Sequence, residues 1–271
     1  FLARAERTTR DLYSPKDMSW TKLRRLAGQS VADGSDDAAR LIGNLQHVTD
    51  PWRVNLWTSW LTSDLPPIEA GLNTAQRRSA VQLFHLLLRT PATIDEGFAQ
   101  LWREPAVREE IVELLTINSA AIDANPIPLA GLADVPLHAH VRYARTEVFA
   151  ALGISNVAKM KEHREGVYFH KPSRTQLMFV TLHKDETRYA PSIQYRDHAL
   201  SPSLFHWESP NSWRQDSPAM LRCVGRGDDS SEQRLLFVRE AARGWVSSRF
   251  RLFGQIDLTG DFVGERPVAL T

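Results

Sequence analysis

Cysteine is almost missing from this chain: the 271 residues contain one, Cys223. A lone cysteine excludes an internal disulfide framework and a multi-cysteine zinc site. Between Leu221 and Val224 it reads as a small buried hydrophobe. Long apolar runs are missing too. None approaches the roughly 18 residues that cross a bilayer, and the best candidate, VQLFHLLLRT, is broken by His85 and Arg89. No secretory leader pattern is present, and the start at Phe1 rather than Met is expected to mark a piece of a longer protein. A cytoplasmic location and no membrane partner are therefore expected. No GxxxxGK[ST], HExxH, GxSxG, GxGxxG or EF-hand run occurs, so a self-contained nucleotide motor and the common hydrolase and dinucleotide sites are not expected.

What is there is an ordinary globular composition, 42% hydrophobic and 24% charged with a formal net charge of +1. It is written in two grammars. From Phe1 to about Leu129 the apolar spacing is helical. SWTKLRRLAGQ stops at Gly28, and SDDAARLIGNLQHV opens on Ser35 and two aspartates. DPWRVNLWTSWL has Asp50 as a cap and Pro51 at the first helical position. NTAQRRSAVQLFHLLLR ends before Pro91, TIDEGFAQLWR starts on a Thr93–Glu96 capping box, and EPAVREEIVELLTINSAAID begins with Pro105. Trp20, Trp52, Trp57, Trp60 and Trp102 are core anchors, and His47 and His85 are core or boundary histidines.

ANPIPLAGLADVPLHAH, with its prolines, reads as a linker, and His138 and His140 within it as solvated or capping groups rather than metal ligands. Beyond one short helix, RTEVFAALG, the period changes to strands: REGVYFHK, QLMFVTLHK, LFHWES, MLRCVG, RLLFVRE, FRLFGQIDL and PVALT. The expected fold class is α+β: an α-helical bundle over residues 1–135, then a small, mostly β, barrel-like domain over residues 136–271. Charge divides the same way. The first part holds 14 Lys and Arg against 17 Asp and Glu; the second holds 19 against 15, and 15 of those 19 are arginine. Arginine forks suit phosphate, which admits a nucleic-acid partner.

The segment YRDHALSPSLFHWESPN (195–211) concentrates aromatic and hydrogen-bonding residues. Tyr189, Tyr195, Phe205, Trp207 and Trp213 lie close in sequence to Arg188, Arg196, Asp197, His206, Glu208, Ser209 and Asn211. Aromatic faces with a few oriented polar groups are what a planar heterocycle requires. The other reading makes Phe205 and Trp207 core and gives Ser201-Pro202, Ser209-Pro210 and Asn211 to turns. If LFHWES alternates, Phe205 and Trp207 point one way and His206 and Glu208 the other. Trp207 and Tyr195 are the choices for stacking, and Asp197 for a base edge.

The second part resembles a C-terminal domain of uncharacterised function found behind superfamily-two helicase motors in bacteria. The likeness rests on RTEVFAALG, REGVYF, the block FVTLHKDETRYAPSIQYRDHALSPSLFHWES (179–209), LLFVRE and FGQIDL followed by RPV. DLYSPKDMSWTKLRRLAGQS and LIGNLQHVTDPWRVNLW resemble the helical region that follows the motor in such proteins. Departures include Ser209-Pro210-Asn211 in place of S-Q-N and Asp197-His198 in place of D-Y. The layout is similar to that of type IV restriction enzymes of the SauUSI kind, which cut DNA bearing modified cytosine. That resemblance implies an SRA/PUA-like reader that flips a 5-methylcytosine-class base into a pocket, with Tyr195, Asp197, Phe205, His206, Trp207, Ser209 and Asn211 at the family's motif positions; Tyr189, Arg188 and Arg196 complete the expected DNA- and base-binding set. It implies double-stranded DNA as partner, together with helicase and nuclease domains of the same full-length chain. No catalytic residue, metal or cofactor is expected in this piece; ATP and a divalent metal belong to the absent motor and nuclease. The alternative is a protein-interaction or regulatory module with no base-specific pocket.

Overall fold

A computed structural model describes residues 12–13, 19–29, 41–88, 91–120, 125–154, 166–183, 197–226, 231–241, 249–258 and 269–270. The chain divides into two compact units, Phe1–Met160 and Lys161–Thr271.

The first unit is helical because its caps and spacings agree. Helix α1 (Trp20–Leu26) starts where the Ser19 side chain accepts from Lys22 N, and ends before Gly28 at φ +70°. Ile42–His47 forms a 3-10 helix. Asp50 and Pro51 start α2 (Pro51–Leu61), with Asp50 Oδ1 accepting from Arg53 N at 3.0 Å. A reciprocal Asn73–Gln76 box opens α3 (Thr74–Leu87). At α4 (Ile94–Trp102) Thr93 Oγ1 accepts from Glu96 N, while the Glu96 carboxylate takes Ala92 N rather than closing the box on Thr93. Pro105 opens α5 (Pro105–Ser119). The core gathers Ile42, Leu45, Trp57, Leu83, Leu87, Phe98, Leu101, Ile111 and Leu115. Phe98 meets Trp60, Phe84 and Trp102 edge-on, at centroid distances of 5.4, 5.1 and 6.0 Å. Gly97 makes room for this, since a Cβ there would lie 2.6 Å from the Phe84 ring.

The stretch expected as a linker is packed. Leu129, Leu132, Val135 and Leu137 are buried, and β1 (Ile127–Pro128) pairs antiparallel with β2 (His138–Ala139). After β3 (Arg142–Tyr143) comes α6 (Arg145–Ala151), ended by Gly153 at φ +82°. A buried ionic cluster fixes this segment on the helices. Arg53 donates through Nε to Asp50 (2.6 Å), through Nη1 to Glu147 (2.5 Å) and through Nη2 to the Arg142 carbonyl (2.9 Å). Its guanidinium also lies 4.5 Å over the Tyr143 ring. The other Glu147 oxygen takes Ala144 N, capping α6 where alanine has no side chain to do so, and pairs with His47 Nε2 at 2.6 Å. Burial alone would raise the Glu147 carboxyl, but the His47 and Arg53 charges overcome it and hold the group at about 2.

In the second unit a mixed sheet has the strand order β9-β8-β5-β4: β4 (Val167–His170), β5 (Thr175–His183), β8 (Gln233–Ala241) and β9 (Phe250–Gln255). β4–β5 and β8–β9 are antiparallel, but β5 and β8 run parallel, with Leu177 beside Leu235 and Phe179 beside Phe237. Among the described residues no closed barrel forms, which corrects the barrel expectation. A parallel central pair needs a long crossover rather than a hairpin. Here the crossover carries β6 (His198–Ser201), β7 (Leu204–Glu208) and helix α7 (Pro218–Cys223). The strand expected over MLRCVG is that helix. Ser217 Oγ accepts from Met220 N, Pro218 takes the first helical position, and Met220 and Cys223 fall on one buried face. One side of the sheet, Met178, Val180, Leu236 and Val238, packs with Val167, Trp207, Met220 and Cys223. On the other side Phe179 stacks on Phe237 at 5.0 Å and meets Phe250 edge-on at 5.1 Å.

Candidate functional site: the β6–β7 hairpin

The polar, aromatic segment singled out in the sequence folds as a hairpin. Its turn is made by Ser201, whose Oγ accepts from Ser203 N (3.2 Å) and Leu204 N (3.1 Å) around Pro202. The register sets His198 opposite His206 and Ala199 opposite Phe205, with an irregularity before Ser201–Leu204. At the open end Asp197 Oδ1 accepts from Glu208 N at 2.9 Å. β7 is the middle strand of a three-stranded sheet, since β10 (Ala269–Leu270) pairs with it antiparallel, Ala269 opposite Glu208.

Alternation divides the candidates between two faces. Phe205 and Trp207 face the core under the main sheet; Trp207 is 5% exposed and meets Trp213 edge-on at 6.2 Å. The faces of Trp207 are therefore given to packing. On the other face His198 and His206 lie with ring centroids 5.1 Å apart, and His206 Nε2 is 4.0 Å from Glu208 Oε1. Ser209 is buried, its Oγ donating to the Pro210 carbonyl at 3.4 Å, and Trp213 N donates to the same carbonyl at 2.8 Å. Asn211 is half-buried in the turn that follows. The structure thus brings together Asp197, His206 and Glu208, sets Trp207 and Ser209 inside, and leaves Phe205 half-buried against the core. Arg188, Tyr189, Tyr195 and Arg196 lie outside the described residues.

The polar face offers imidazole nitrogens that donate or accept and carboxylate oxygens that accept. The buried Cys223 thiol is pushed up to about 12 by burial, which removes it as a nucleophile at neutral pH. Among the described residues no group of three His, Cys, Asp or Glu side chains is placed to hold a metal ion, and no helix is long and apolar enough to cross a membrane. His198 lies outside the set of residues expected to contact a base. Its place on the polar face follows from the register, two residues from Leu200 and opposite His206, which composition does not reveal.

A family model described as a domain of unknown function (DUF3427) matches residues 137–266. No curated protein and no solved structure matches the chain. The matched region starts at residue 137, beside the change of grammar read at 135/136, whereas packing divides the chain after Met160. Residues 137–152 therefore belong to the matched sequence and to the first compact unit at once, and within that unit Glu147 pairs with Arg53.

Proposed function

We propose that this chain is the non-catalytic DNA-binding specificity region of an ATP-dependent, modification-directed restriction protein, and that it reads a base of the 5-methylcytosine class extruded from duplex DNA. The observation that carries this reading is the two-sided hairpin. Its aromatic side is fixed in a core, which holds the His198, His206 and Glu208 side in one geometry, as base-edge recognition requires. Extrusion costs a few kcal/mol, and stacking of about 1–3 kcal/mol per base must help to offset it. With the Trp207 faces committed to packing, stacking falls to Tyr195 or Tyr189 in this reading.

The test is binding of the chain to matched duplexes carrying cytosine, 5-methylcytosine or 5-hydroxymethylcytosine over a salt series. A methyl contact is worth about 1–3 kcal/mol, so a preference of roughly 10-fold or more for one modified duplex is expected. Equal affinity for all three at every salt concentration sinks the reading. A protein-docking or regulatory role is favoured by one observation, the exposure of Leu200 and Leu204 beside the hairpin turn. Indifference to all DNA together with concentration-dependent self-association would favour that role.

A further inference from the structure

Away from the polar face of the hairpin, three separate segments meet at one end of the main sheet and bring basic residues with them. They are the β4–β5 turn Lys171–Arg174, the end of α7 with the residues after it, and the start of β8. Backbone bonds join them. Glu232 N donates to the Arg174 carbonyl and Ser231 N to the Arg222 carbonyl, both at 2.9 Å. Lys171, Arg174, Arg222, Arg226 and Arg234 all lie on these segments.

Arg234 donates through Nε to the Cys223 carbonyl and through Nη2 to the Ser231 carbonyl at 3.4 Å. Both acceptors are neutral, so the guanidinium keeps its charge while covering a terminal carbonyl of α7. Gly225, at φ +78°, lets it lie against the backbone, because a Cβ there would come within 2.9 Å of Arg234 Nη2. The Arg222 guanidinium rests 4.8 Å over the Phe169 ring. Arg174 sits in the left-handed region at φ +48°, where a non-glycine residue costs about 1–2 kcal/mol and is seldom tolerated without a use. Ser231 Oγ is buried at the same end without a hydrogen-bond partner. The described acid on these segments is Glu232, 3.2 Å from Arg174 Nε; Asp228 and Asp229 lie outside the described residues. Counting those two aspartates, the segments still carry five basic residues against three acidic ones.

We propose that this end of the sheet is a phosphate-binding surface that grips the nucleic-acid backbone, separate from the hairpin face that meets the base. It rests on the DNA-binding reading and adds the place of the sequence-independent contacts. Guanidinium forks match phosphate oxygens in pairs. Backbone contacts of this kind set orientation and affinity and carry no sequence information.

The experiment compares the chain with a Lys171→Gln/Arg226→Gln double variant, two exposed residues whose loss leaves the core untouched, and with an Arg77→Gln/Arg103→Gln variant that removes equal charge from the helical unit. Each phosphate contact contributes about 0.9 to the slope of log K against log salt. The Lys171/Arg226 variant should therefore bind modified and unmodified duplexes more weakly by the same factor, with a slope shallower by about 1–2. The Arg77/Arg103 variant should keep the parental slope. If the parent binds DNA and the Lys171/Arg226 variant keeps the parental affinity and slope, the surface is wrong while the reading stands. An equal change in both variants also overturns it, as a bulk charge effect. A parent that binds no duplex at any salt concentration removes reading and surface together.

Discussion

Arg53 is the residue on which the helical unit is most sharply specified. Fully buried, it divides its donors among Asp50, Glu147 and a carbonyl, and each carboxylate has other donors of its own. Breaking one side of a buried pair leaves an uncompensated charge and costs about 3–5 kcal/mol. Glu147→Gln should cost that much, read as a lower urea midpoint with an unchanged slope, because one neutral amide oxygen cannot serve Arg53, Ala144 N and His47 together. Asp50 is legible in the sequence as a cap, three residues before Arg53, but Glu147 lies 94 residues from Arg53 and no local pattern announces it. At the same scale, the Cys223 thiol, raised to about 12 and buried, should stay unreacted with a thiol-selective disulfide reagent at pH 8 until urea unfolds the chain. Rapid labelling of the native protein would contradict its place against Met220 and Trp207.

At the scale of elements, close approach and capping carry the tests. Gly97→Ala places a methyl against the Phe84 ring at the α3–α4 crossing and should destabilise by about 1–3 kcal/mol, measured by thermal unfolding, where helix propensity alone would predict a gain. Ser217→Ala removes the α7 cap and should cost about 1 kcal/mol. The helices were legible because Asp50-Pro51, Asn73, Thr93 and Pro105 mark their starts in the chain itself. MLRCVG was not, because six mostly apolar residues suit either period; Ser217-Pro218 just upstream decides for helix. LFHWES was legible in its alternation, and the structure sets Trp207 and His206 on opposite faces for that reason.

For the whole molecule, acid is the informative variable. Burial lowers His85 and His138 from the ordinary 6.5, opposed by the nearby Glu147 and Asp50 respectively, so each binds its proton more weakly folded than unfolded. Their contribution to stability is complete above about 6.5 and declines as pH falls below it. Glu147, held at about 2 against an ordinary 4.5, contributes fully above about 4.5 and loses that contribution as pH falls toward 2. His85 and His138 should therefore lower the melting temperature as pH falls from 7 to 5, and Glu147 should lower it more steeply below 4.5. His85→Gln should flatten the first descent, and a profile identical to the parent's would count against a buried, neutral His85. The α+β class was legible from the change of period, but the strand order was not. Pairing of β5 with β8 joins residues far apart in sequence, and no short-range signal distinguishes that from a meander.

The same parallel pair also governs how the second unit can be made. Its central ladder joins Thr175 to Gln233 and Phe179 to Phe237, so the ladder cannot begin until the hairpin and α7 between them have been synthesised. High sequence separation of this kind slows folding, because loop closure precedes any reward from contacts. A nascent chain that has reached α7 presents β5 with Leu177, Met178, Phe179 and Val180 unpaired on one edge, a template for association with other chains. Truncation between residues 224 and 232 should therefore yield aggregate rather than a smaller soluble protein.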